Sequence, residues 1–310
     1  MNTMKEILDA YATGSLPKAR FIDEMYAFHS TLFQYAQRLP QTDISRIEIK
    51  DGEICMTIRG MDIKMLPTAQ DKRDILLEII NFGGHEREEL TMVERLVPDG
   101  ACLLDIGANV GWYALWLARK KPSLTIHSFE PIPKTFARLA QHVALNGLDE
   151  QVKTYPFGFS DVNETLTFYF APECSMNASS RNVADRADIE RIDCRVMPLD
   201  EFMADKPFSV DFLKCDVEGA EFFVYRGGLK TLAEHKPIVF SEMLRKWASK
   251  FDYHPNEIIA LFKELGYGCF ALAGQQLRRF AFMDEGTLET NFFFLHHERH
   301  ADLIKALVAV

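Results

Sequence analysis

Basic charge is what this chain most plainly lacks: 35 lysines and arginines stand against 45 aspartates and glutamates, a formal net charge of −10. A phosphate backbone would have to be met by a local patch, so a nucleic acid is not an expected partner. Cysteine is sparse and scattered. The six, at 55, 102, 174, 194, 215 and 269, form no CxxC pair, and several sit in apolar strand-like runs. That excludes a disulfide framework and suits reduced core thiols in a cytoplasmic protein. Long apolar runs are missing too: none reaches the roughly 18 residues of a membrane span, and the first residues lead into no apolar export core, so stable membrane insertion is not expected. What remains is a chain of 310 residues with ordinary apolar content, enough to bury a full core.

That core is organised around residues 103–113. An apolar run stops at Asp105, turns over Gly107 and Gly111, and continues into a segment with Trp112, Leu115, Trp116 and Ala118 at helical spacing. Strand, tight turn and helix follow, with the strand covered on both faces as in a parallel sheet. Glycine lets the turn take dihedrals closed to other residues and lets a ligand lie against the backbone. The third glycine of the dinucleotide fingerprint is absent, Asn109 standing within the turn instead. Asp105 would repel a pyrophosphate but suits a ligand with an ammonium or sulfonium group, the charge pattern of S-adenosylmethionine (SAM). The competing reading is a plain strand-to-helix turn in which Asn109 starts the helix.

Before this turn, apolar spacing predicts two helices between residues 4 and 39, then a hairpin of strands 44–50 and 53–58 about Asp51-Gly52. Residues 1–80 form an N-terminal helical and β-hairpin region, distinct from a domain over 81–310. Residues 74–96 are helical with a break at Gly83-Gly84. The charged run 85–89 is expected on a solvated helix face, with His85 and Glu86 as alternative borders of a pocket.

Past the turn, strands and helices alternate over short connections, which predicts a doubly wound, mostly parallel α/β sheet. The strand 124–129 ends at Glu130-Pro131, where an acid accepts hydrogen bonds from a ribose hydroxyl pair in nucleotide-binding folds. A third strand, 151–159, ends at Ser160-Asp161; Asp161 is either a contact to an adenine amino group or a turn residue. Residues 171–193 are polar and strand-poor, expected to be a lid or substrate loop, or disordered. Strand 210–215 runs into Asp216, Glu218 and Glu221, a concentration of charge that is expensive beside a core. Asp216 and Glu218, alternating on an extended segment, would point to opposite sides. Strand 237–240 leads to Glu242 on the same lip. His296, His297 and His300 are expected on a surface tail.

Together, the Asp105-to-Gly111 turn, Phe129-Glu130-Pro131, the run from Asp211 to Glu221 with its Lys-x-Asp-x-Glu-Gly-Ala-Glu element, and residues 237–242 resemble FkbM-type SAM-dependent methyltransferases. The resemblance spans roughly residues 85–298. It implies the Rossmann-like class I methyltransferase fold, a seven-stranded sheet with its last strand antiparallel, and O-methylation of a hydroxyl on a sugar, glycan or secondary metabolite. It implies that Asp105, Gly107, Ala108, Asn109 and Gly111 hold the methionine part of SAM, Glu130 and Pro131 the ribose, and Asp161 the adenine, with Asp216 also beside the cofactor. The expected base is Asp216 or Glu218, then Glu242, with Lys214 as an orienter. No metal is assigned, although three carboxylates on one lip could also bind Mg²⁺. The rivals are a nicotinamide-dependent oxidoreductase and a non-catalytic SAM-fold binding protein. A small-molecule or glycan acceptor is expected as partner, with a homo-oligomer open; residues before about 75 are a specificity cap or an oligomerisation arm.

Overall fold

A computed structural model describes residues 3–171, 174–182 and 189–309. Two helices, α1 (Met4–Ala12) and α2 (Lys18–Arg38), precede a small antiparallel sheet of β1 (Ile44–Lys50), β2 (Glu53–Ile58) and β3 (Lys64–Met65). Its hairpin closes over Asp51 and Gly52, both at positive φ, which is what a tight two-residue turn demands. Helices α3 (Ile75–Phe82) and α4 (Arg87–Leu96) follow, parted at Gly83, whose φ of +95° ends the first of them.

The main sheet is built from β4 (Cys102–Ile106), β5 (Thr125–Phe129), β6 (Val152–Tyr155), β11 (Phe212–Cys215), β12 (Ile238–Glu242), β13 (Tyr267–Ala273), β14 (Gln276–Arg279) and β15 (Asn291–His296). Their order is β14-β13-β15-β12-β11-β4-β5-β6. From β12 to β6 the strands run parallel, while β15 lies antiparallel between β12 and β13. Seven strands are thus those the resemblance implied. The eighth, β14, is a hairpin extension of β13 along the edge.

Alternate residues of the central strands feed two cores. Leu103, Phe212, Phe240 and Phe293 face one side, packing with α3, α4, α5 (Trp112–Lys120) and α6 (Pro133–Leu145). Leu104, Leu213, Val239 and Phe294 face the other, with α7 (Leu199–Met203), α8 (Glu221–Arg226), α10 (Arg245–Ala248) and α11 (Pro255–Glu264). Each such side chain contributes roughly 1.5–3 kcal/mol by leaving water. Helices α9 (Leu229–His235) and α12 (Ala301–Leu307) complete the layers.

The expected third strand, 151–159, is two strands in different sheets. Pro156 has no N–H to continue a ladder, and beyond it β7 (Gly158–Phe159) joins β8 (Glu164–Ala171), β9 (Cys174–Ser179) and β10 (Glu190–Met197) in the order β7-β10-β8-β9. Much of the stretch expected as a loop over 171–193 is therefore strand; residues 172, 173 and 183–188 lie outside the described residues. The histidine expectation also fails: His296 and His300 are buried, and the His300 Nδ1 accepts from the His296 backbone N–H at 2.9 Å. Cys102, Cys194, Cys215 and Cys269 are buried free thiols, and Cys55 is half-buried. Among the described residues no helix is long and apolar enough to cross a membrane.

Candidate active site

Where β4, β5 and β11 end, a cavity of about 340 Å³ opens. Its floor is Gly107 and Asn109 after β4, Glu130 and Pro131 after β5, and Asp216 and Glu218 after β11; Ser160 and Asp161 close one end. Leu166, Phe168 and Val196 of the second sheet form the roof.

Backbone proximity dictates the glycine at the centre. Gly107 has a φ of +73°, and a Cβ there would lie 1.8 Å from the Asp216 carbonyl oxygen, so the turns after β4 and β11 touch only because that atom is missing. Asn109 takes a left-handed φ of +49°, and its backbone N–H donates to Glu130 Oε2 at 3.1 Å. The other oxygen of Glu130 accepts from the Ile132 N–H at 2.9 Å. Burial raises Glu130 to about 7, outweighing these two bonds.

Lys214 is buried beneath the floor. Its Nζ donates to the Gly107 carbonyl at 2.8 Å and stands 3.5 Å from Asp105 Oδ1 and 3.4 Å from Asp216 Oδ2. Burial alone would lower its pKa, but the two carboxylates prevail and raise it. Lys214 is a clamp between the two turns and does not line the cavity.

Asp216, Glu218 and Glu242 come together, each offering an oxygen within 4.8 Å of the others. The expectation that Asp216 and Glu218 point apart fails because the segment is not extended: Glu218 sits at φ +56°, which swings it back beside Asp216. Burial, then Asp216 and Glu242, push Glu218 well above the usual carboxylate range; burial, then Asp216 and Glu221, do the same to Glu242. Crowding of this kind favours the protonated form of Glu218 and of Glu242.

Buried contacts pin this strained turn. The Glu221 Oε1 accepts from the backbone N–H groups of Val217 and Gly219 at 3.0 and 3.1 Å. Tyr253 donates its hydroxyl to the Gly219 carbonyl at 3.0 Å, and Ser179 donates to the Glu218 carbonyl at 2.8 Å. Neither Ser179 nor Tyr253 was foreseen as a support, since each lies far in sequence from the turn it holds.

Of the remaining sequence candidates, Asp161 lines the cavity and pairs with Arg226 at 3.3 Å. Asp105 is fully buried just behind the cavity. Ala108 belongs to the apolar core, and Gly111 caps α5 with its Cβ position 2.8 Å from Leu139, so neither lines the cavity. Glu86, expected on a solvated face, accepts a hydrogen bond from the buried Tyr113 hydroxyl at 2.7 Å and contributes to the raised pKa of Glu242. The Gly83-Gly84 break was its signal in the sequence: α3 ends there, and Glu86 sits at φ +45° immediately before α4.

Residues 105–269, just over half of the chain, match the family model described as the methyltransferase FkbM domain. The chain belongs to the FkbM methyltransferase family. Its sheet, with one antiparallel strand inserted beside the last parallel one, is the class I methyltransferase fold that the FkbM resemblance implied. Among curated relatives, "Methyltransferase 1" of Beauveria bassiana (strain ARSEF 2860) is 31% identical over 149 residues, 42% of this chain and 59% of that protein. The 31-O-demethyl-FK506 methyltransferase FkbM of Streptomyces tacrolimicus is 25% identical, the match covering 41% of this chain and 59% of that protein. The 2-O-methyltransferase NoeI of Sinorhizobium fredii (strain NBRC 101917 / NGR234) is 26% identical over 48% of this chain and 64% of its own length. The matches thus leave a third or more of each of these relatives uncovered.

Proposed function

We propose that this FkbM-family protein is a SAM-dependent O-methyltransferase acting on a hydroxyl of a sugar, glycan or secondary metabolite. One observation carries the cofactor assignment. Around the cavity, Asp105 Oδ2 and Asn109 Oδ1 are buried acceptors without hydrogen-bond partners, Asp105 Oδ1 meets only the Lys214 ammonium, and Glu218 Oε2 stands unpartnered beside them. Such a set wants a ligand rich in donors and positive charge, as an aminoacyl sulfonium nucleoside is, and has little to offer a pyrophosphate, which also only accepts. Gly107 supplies the close backbone approach. Asp105, Gly107 and Asn109 would hold the amino-acid part, Glu130 with Pro131 the ribose, and Asp161 the adenine.

When bound, SAM supplies an electrophilic methyl group. The chain's part is to hold an acceptor oxygen in line with it, worth up to several kcal/mol, and to take the hydroxyl proton. Asp216, 3.4 Å from the Lys214 ammonium, is the base; Glu218 and Glu242, both raised toward their protonated forms, stand beside it and orient the acceptor. The names of two relatives, a 31-O-demethyl-FK506 methyltransferase and a 2-O-methyltransferase, support oxygen as the atom methylated. Incubation with methyl-labelled SAM and a panel of hydroxylated glycans and metabolites should add one methyl mass to an acceptor. Calorimetric titration with S-adenosylhomocysteine that gives no saturable heat would overturn the cofactor assignment.

A further inference from the structure

Helix α2 breaks the rule that an amphipathic helix buries its apolar face. It runs for 21 residues, and none of its side chains is buried. Among the described residues, no apolar side chain of α1 or α2 joins or packs against the hydrophobic cores, and none from either helix lines the cavity. The pair is held to itself by stacking of Tyr11 on Phe21, at 4.1 Å between centroids, and to the body by Arg38, which donates to the carbonyls of Ile80 and Asn81. Helices of this length draw their stability chiefly from packing, so a face left in water is a face awaiting a partner.

Its chemistry narrows what the partner is. Between Glu24 and Arg38 the helix carries no Lys, Arg, Asp or Glu, in a chain of which 26% is charged. Tyr26 and Phe33 are each 63% exposed and Leu32 59%, with Ile22 and Tyr35 also open. Aromatic enrichment with charge depletion marks the centre of a protein interface. At ~150–250 Å² per aromatic side chain, Ile22, Leu32, Phe33 and Tyr35 with Leu8 and Tyr11 of α1 present on the order of 600 Å², somewhat below the ≈ 800 Å² per partner of a standard interface and the scale of a concentration-dependent pairing.

We infer that α1 and α2 form a homodimerisation arm, and that a second copy of this chain covers the α2 face. The stripe is self-complementary. Antiparallel copies of α2 centred between Phe28 and His29 set Ile22 against Tyr35 and Met25 against Leu32, apolar upon apolar, as a two-fold interface requires. Two bodies of net charge −10 approach at least cost where acids are fewest, and between Glu24 and Arg38 the helix has none. A membrane surface fits less well, because interfacial helices carry a Lys- and Arg-rich polar face, whereas Lys18, Arg20 and Arg38 here are offset by Asp23 and Glu24.

The test is the mass of the full chain by light scattering and sedimentation at micromolar concentration. A dimer of twice 35.5 kDa is expected. Phe33→Glu and Leu32→Lys, each at an exposed position, should weaken it at least tenfold while leaving the circular dichroism and S-adenosylhomocysteine affinity unchanged. A disulfide between Ile22→Cys and Tyr35→Cys copies, absent when either is used alone, would fix the antiparallel register. A wild-type monomer throughout the range, or a dimer indifferent to both charge substitutions, overturns the inference. So does a monomer that instead co-sediments with vesicles of phosphatidylcholine and phosphatidylserine.

Discussion

The acid lip and the N-terminal arm invert the ordinary division of a protein in opposite ways. At the lip, carboxylates are drawn into the interior; on the arm, aromatic side chains are left in water. Each arrangement is costly alone, and each points at something the isolated chain does not contain. They differ in how they are held. The lip is fixed by a buried lysine, a buried glutamate and hydroxyls from elements far apart in sequence, with three non-glycine residues, Glu86, Asn109 and Glu218, at positive φ. The arm has regular helical geometry and little holding it. Strain over-determined by its surroundings marks a place built for chemistry, whereas an unstrained apolar face marks one built for association.

Substitutions at the two regions should therefore separate cleanly. The largest effect belongs to Gly107→Ala, which places a methyl against the Asp216 carbonyl in a left-handed conformation. It should abolish detectable S-adenosylhomocysteine binding in calorimetry and lower the melting temperature by roughly 5–10 °C; near-normal binding would mean that the two turns need not touch. Next, Asp216→Asn should slow methyl transfer by roughly 10²–10⁴-fold, with product affinity changed far less. Equal losses in both would make Asp216 a cofactor ligand and not the base.

Smallest is a pH effect. Glu130 and Glu221 titrate near 7 in the folded chain against an ordinary 4.5, so the native state keeps protons that the unfolded chain has released. Their stabilising contribution is complete below about 4.5, is lost as pH rises to about 7, and stays lost above it. Relative to wild type, Glu130→Gln and Glu221→Gln should gain stability from pH 5 to about 7 and level off above it by scanning calorimetry. An arm variant such as Phe33→Glu should show no such slope.

The alternation of strand and helix, the hairpin at Asp51-Gly52 and the acids at successive strand ends were legible because local pattern sets them: period, turn chemistry, and charge where a core strand stops. The geometry of the acids was not. Whether Asp216 and Glu218 diverge or converge depends on one positive φ at Glu218, imposed by Ser179, Glu221 and Tyr253 from three different elements. Glu86 stayed open between a solvated face and a pocket border for a similar reason, since its neighbours in sequence are those of a solvated helix and its neighbour in space is Tyr113. Strands β9 and β10 of the second sheet were missed: β9 is short and rich in polar residues, and both take their order from pairing with β8, not from their own composition.

At Pro156 the path leaves the main sheet, and the route back to its next strand, β11, opens only after Met197. The cavity's ceiling is thus an insert joined to the chassis at two nearby points. A change of length in such a cassette would leave the register of every strand beneath it undisturbed, so on the proposed reading the ceiling could be reshaped for a different acceptor without moving the floor.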